Sequence, residues 1–224
     1  GRVPVDHGIV SNAVVRRSIG DNLFARVRAE GKITAVAAYH WVSELYVSCP
    51  FDRYRDRILV DGTGDITHGV FYWDDAYPDS HLFADAEWLI HTKAPDFLLL
   101  HPMNVDDAGH KHGGDSVGYR NAARLQGDLL ARHLPAWIEA GYTVIVTADH
   151  GMGDDGQVRP AHGRAQVGIG GGPAHPVLHG HVHGAEAFLH VAIAVVGLDV
   201  AGLGTGFYPG AVQRVLHVVA VVGG

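Results

Sequence analysis

Thr143-Val144-Ile145-Val146-Thr147-Ala148-Asp149-His150-Gly151-Met152-Gly153-Asp154-Asp155-Gly156 is the stretch on which the fold of this chain turns. Its first half is a short β-branched run, the pattern of a fully buried strand. Its second half breaks into Asp-His-Gly and a loop rich in Gly and Asp. A buried strand that delivers adjacent Asp and His side chains to its carboxyl end matches a metal-dependent site on an open α/β sheet. Carboxylate oxygen and imidazole nitrogen both bind zinc at about 2 Å. The same letters also fit a strand followed by a polar turn, because Asp and Gly are common turn residues.

The preceding sequence separates the two readings. Pro95-Asp96-Phe97-Leu98-Leu99-Leu100-His101 is another apolar run of strand length, and Asp106-Asp107-Ala108-Gly109-His110-Lys111-His112-Gly113 follows it as a Gly-containing loop. From Tyr119 to Glu139, Leu125, Leu129, Leu130, Leu134 and Ile138 recur as on one side of a long helix, which Gly141 closes. Two strands joined by one helical crossover therefore each end in an Asp/His pair. A right-handed parallel crossover puts both pairs on the same sheet edge. That repetition favours metal over turn. A tight turn at Gly109 brings Asp106 and His110 onto one ion, and a bend at Gly151 does the same for Asp149 and His150. The pattern favours two ions in one site, about 3.5–4 Å apart as in two-metal hydrolytic centres.

The rest of the chain reads as supporting α/β structure. Gly1 to Asn12 is expected to be loop, Asp21 to Glu30 a helix with Asp21 as N-cap, and Ile33 to Ala38 a buried strand. Trp41 to Ser80 is less regular, with a strand at Gly69–Trp73, and helical spacing resumes from Ser80 to His91. The formal net charge of -7 argues against a protein that coats nucleic acid. The single Cys49 excludes an intramolecular disulfide framework and a multi-cysteine zinc knuckle. No apolar run is long enough to cross a membrane as a helix. The start carries neither an initiator Met nor a signal-peptide pattern and reads as the middle of a longer chain. Compartment and oligomeric state are not legible.

Asp106-x-x-Gly109-His110 and Thr147-Ala148-Asp149-His150-Gly151-Met152 resemble motifs of the nucleotide pyrophosphatase/phosphodiesterase branch of the alkaline phosphatase superfamily. Pro4-x-x-His7-Gly8-Ile9-Val10-Ser11-Asn12 resembles the segment after that branch's nucleophile helix. The resemblance covers Gly1 to about Gln157, with the three motifs in the family's order. It implies a mainly parallel sheet sandwiched by helices and two zinc ions at strand ends. One ion is expected on Asp106, His110 and a later His, of which His162 is the nearest candidate. The other is expected on Asp149, His150 and an Asp from an earlier strand. Asn12 matches the amide that stabilises the phosphoryl oxygens, whereas His7 is expected only to pack its loop. The implied reaction is hydrolysis of a phosphodiester or pyrophosphate bond in a small phosphate ester such as a nucleotide, through a covalent intermediate on Thr or Ser.

The pattern departs from the family in two places. The nucleophile and one metal-binding Asp belong upstream of Gly1, so the chain is expected to be a fragment with poor phosphodiesterase activity. After Gln157, where relatives continue with His-Gly-Gly, residues 158–224 shift to Gly, Val, Ala and His, as a reading-frame slip in GC-rich coding sequence would produce. The expected organisation is thus a partial hydrolase domain at 1–157 and an atypical tail at 158–224. The tail's His175, His179, His181, His183 and His190, and its glycine runs, do not form a recognisable site. Sulfatase, phosphoglycerate mutase and phosphonoacetate hydrolase activities share the metal ligands and stay open, as does a non-catalytic metal- or phosphate-binding protein. Trp41, Tyr46, Phe71, Tyr72 and Trp73 are candidates to stack on a leaving group, although aromatics in strands more often fill a core.

Overall fold

Alternating apolar runs and amphipathic segments build an eight-stranded sheet covered by helices on both faces. The computed structural model describes residues 4–11, 13–19, 21–74, 76–147 and 150–159, and the strands at 165–170, 178–182 and 214–219. The strands are β1 (Thr34–Tyr39), β2 (Ile58–Leu59), β3 (His68–Tyr72), β4 (Phe97–Leu100), β5 (Tyr142–Thr147), β6 (Gly151–Met152), β7 (Val158–Arg159), β8 (Ala165–Gly170), β9 (Leu178–Val182) and β10 (Arg214–Val219). The helices are α1 (Pro4–His7), α2 (Leu23–Ala29), α3 (His40–Tyr46), α4 (Asp79–Lys93), α5 (Asn104–His112) and α6 (Val117–Glu139). The sheet order is β2-β3-β1-β4-β10-β5-β8-β9, and β6 pairs with β7 in a separate hairpin. The five strands β3, β1, β4, β10 and β5 run parallel. The fold is α/β, with the mainly parallel, alkaline-phosphatase-like core expected from the sequence.

Period-2 alternation decides which face each side chain joins. Ala35, Ala37 and Tyr39 of β1 pack with Val70, Leu98, Leu100 and Val144 against Leu82, Phe83 and Leu89 of α4 and Leu129 and Trp137 of α6. Val36 and Ala38 turn the other way, onto Phe24 and Val27 of α2 and Val42 of α3. Both faces are covered, so the strands read as unbroken apolar runs. Burial of each large aliphatic or aromatic side chain contributes about 1.5–3 kcal/mol.

Three local expectations change. Helix α2 is capped by Asn22, whose side chain accepts the Ala25 N–H at 2.9 Å, while Asp21 pairs with Arg26 instead. Asn22 is the residue with extended backbone (φ -136°, ψ 168°), the geometry a cap requires. Pro4–His7 is a short helix rather than loop, and α3 follows β1 directly within the stretch that had seemed irregular. In the third, Asp106 to His112 is helical, not a loop.

Parallel pairing of β10 to both β4 and β5 means that β4 and β5 end on the same edge. That edge carries α5 after β4 and the β6–β7 hairpin after β5. Among the described residues, no helix is long and apolar enough to cross a membrane.

Candidate metal centre

Helical geometry, rather than a tight turn, brings the first pair together. Asp106 and His110 lie at i and i+4 on one face of α5, with Asp106 Oδ1 3.4 Å from His110 Nε2. The same Asp106 oxygen is 3.4 Å from Nε2 of His150, which follows β5. One carboxylate oxygen thus joins the two motifs. Its side chain is 13% exposed, against 46% for His110 and 22% for His150, so the centre opens to solvent on the His110 side.

Backbone carbonyls fix both imidazole tautomers. His110 Nδ1 is 2.8 Å from Gly156 O, and His150 Nδ1 is 3.0 Å from Gly151 O. A carbonyl oxygen only accepts, so each Nδ1 carries a proton and each Nε2 turns toward Asp106. Two ring nitrogens and a carboxylate oxygen then face one another. Carboxylate oxygen and imidazole nitrogen are donor types that zinc takes, and imidazole N–H groups held by carbonyls are the usual outer partners of such ligands. Among the described residues, no group of three or more His, Cys, Asp or Glu side chains makes a ready metal cage. Asn12, Asp149 and His162 lie outside the described residues.

Glycine lets the hairpin dock this closely. Gly114 N–H donates to Gly153 O at 2.9 Å. A Cβ on Gly113 (φ +86°) would lie 2.1 Å from Asp154 O, and one on Gly156 (φ +72°) 2.8 Å from His110 O. These contacts are backbone against backbone. Beneath them Met152 packs with Val105 and Tyr119. Burial, and then the charge of Asp106, raise the Tyr119 pKa above its ordinary value.

The start of α5 is fixed from outside the helix. Asp79, at the first position of α4 and 2% exposed, accepts the Met103 N–H at 2.9 Å and the Asn104 N–H at 3.0 Å. Asn104 Oδ1 in return accepts the Asp79 N–H at 2.7 Å. Burial pushes the Asp79 carboxyl up to about 6, against the opposing pull of those donors. Nothing in the sequence around Asp79 signalled this role beyond its place at a helix start.

The aromatic candidates divide between core and rim. Phe71 and Tyr72 are buried, while Trp41 and Tyr46 pack against the second core cluster. Trp73 is half-buried, with its ring 5.1 Å from that of Tyr77 and 5.2 Å from the Arg57 guanidinium. His7, the last residue of α1, accepts the Ile9 N–H on its Nδ1 at 3.3 Å.

Comparison with known families gives one match. The model of the family "Type I phosphodiesterase / nucleotide pyrophosphatase" matches residues 1–162. The chain belongs to that family. No curated protein and no solved structure matches it. Type I phosphodiesterases and nucleotide pyrophosphatases act on phosphate esters such as nucleotides and are generally metal-dependent. Family membership therefore points to phosphodiester hydrolysis as the chemistry of this fold.

Proposed function

We propose that this chain carries the metal-binding part of a zinc-dependent hydrolase of phosphodiester or pyrophosphate bonds. The observation that supports it most is the pair of equal 3.4 Å approaches of His110 Nε2 and His150 Nε2 to one oxygen of Asp106. Asp106 and His110 would hold one zinc ion, with His162 as their third partner. Asp149 and His150 would hold a second. When bound, the metal supplies Lewis-acid stabilisation of charge on the phosphoryl group and lowers the pKa of an attacking hydroxyl or water.

The chain's own residues prepare that centre. The carbonyls of Gly151 and Gly156 keep Nδ1 protonated and both rings oriented. The solvent-facing side at His110 leaves room for a phosphate ester, and Asn12 is the proposed donor to its non-bridging oxygens. Elemental analysis for zinc, combined with turnover of bis-p-nitrophenyl phosphate, tests the proposal. Bound zinc with poor turnover, both lost in Asp106→Ala, is the expected result. Zinc without turnover favours a binding protein, and absence of zinc affinity in the wild type overturns the proposal.

A further inference from the structure

Two helices cap each other at the carboxyl edge of the sheet, and one of them carries Asp106 and His110. Helix α5 has no capping side chain of its own: Met103, at its N-cap, makes no side-chain cap hydrogen bond. The first N–H groups of a helix lack intrahelical partners, and here Asp79 accepts two of them from a different helix. The first residue of α4 lacks a cap from Pro78 and is served by Asn104 across the gap. Asn104 Nδ2 also donates to Tyr77 O at 3.0 Å, and the Tyr39 hydroxyl donates to the same carbonyl at 3.1 Å. The lock therefore ties the end of β1, the start of α4 and the start of α5.

We propose that Asp79 and Asn104 are positioning residues of the metal centre, setting the height and rotation of α5 so that Asp106 meets His150. This rests on the zinc reading above. Asp79 is placed for this because α4 cannot shift: Leu82, Phe83, Ala86 and Leu89 are fully buried in the main core. Asn104 is two residues before Asp106, less than one helical turn away, so a change in the helix start reaches the carboxylate almost undiminished. The paired use of both carboxylate oxygens resists rotation of α5 about its axis, which one hydrogen bond does not. Substituting Asn at position 79 keeps the volume, but its amide NH2 would face a backbone N–H donor.

The test compares the wild-type chain with Asp79→Asn, Asn104→Ala and a control, Tyr142→Phe. The control removes another buried hydrogen bond, from the Tyr142 hydroxyl to Pro95 O at 2.7 Å, on the opposite edge of the sheet. Zinc affinity is measured by calorimetry, and the geometry of the centre by the visible absorption of the Co(II)-substituted protein. Asp79→Asn and Asn104→Ala are expected to weaken zinc binding about tenfold or more and to alter the Co(II) bands. Tyr142→Phe should lower thermal stability but keep wild-type affinity and spectrum. Wild-type affinity and bands in both lock variants would overturn the proposal, whatever their melting temperatures. If Asp79→Asn does not fold, Asn104→Ala decides alone, with Asn104→Ser in its place if that fails too. A wild type that binds no zinc overturns the zinc reading and this inference together, whereas zinc-competent, unaltered lock variants overturn only the inference.

Discussion

Asp106 is the residue on which the two motifs meet. Its Oδ1 lies 3.4 Å from Nε2 of both His110 and His150, so it is the carboxylate whose loss should be felt first by a bound cation. In Asp106→Asn the rise in melting temperature on adding zinc should shrink or vanish. Thermal scans with chelator and with zinc check this. A variant that keeps the full zinc-induced rise would contradict this account of the site. At this scale the sequence was readable: Asp106, His110 and His150 stand out as Asp/His pairs after apolar runs, and the structure brings those three together.

Secondary structure around the site was less readable, for identifiable reasons. Gly109 in the middle and acidic residues followed by His suggested a loop, yet the segment is helical. Its helical start is stabilised by Asp79, 25 residues upstream of Asn104, so no local pattern announces it. Helix α3 was missed because it begins immediately after β1 without a side-chain cap. By contrast α4, α6, β4 and β5 were visible, since each buries a long apolar series with regular period.

The β6–β7 hairpin depends on glycine at its contact with α5. Gly113→Ala places a Cβ in collision with Asp154 O at a residue with φ +86°, so it should cost about 2 kcal/mol or more. Because the same contact brings His150 to α5, zinc affinity should fall as well. Gly109→Ala meets only the side chain of Met152, at Cε and Cγ 2.7 Å away, and Met152→Ala in the same chain should restore most of the loss. Chemical denaturation of the single and double variants measures both outcomes.

For the whole molecule, Asp79 couples folding to pH. Its carboxyl titrates near 6 in the folded chain against an ordinary 3.8, so between those values the native state holds more protons than the unfolded one. The contribution of Asp79 to stability therefore falls as pH rises through this window, by on the order of 3 kcal/mol in total. The unfolding free energy of the wild type minus that of Asp79→Asn should decline between about pH 4 and pH 6.5 and then level off. Parallel profiles for the two proteins would show that burial does not penalise the charge. The core should behave conventionally: Leu82 is fully buried, and Leu82→Ala should cost about 2–5 kcal/mol in urea denaturation.

The contact between hairpin and helix is written in main-chain atoms, and this bears on how freely the surface there can be altered. Asp154 meets Gly113 through its main chain, whereas the Asp155 carboxylate accepts the Gln157 N–H at 3.1 Å, and both residues are exposed. The identity of Asp154 can drift, or be replaced by a labelled residue, as long as Gly113, Gly114 and Gly156 stay. A fluorophore at position 154 would sit beside Gly113, at the end of the helix that carries His110, turning an exposed letter of the opening motif into an optical handle on whether the site is assembled.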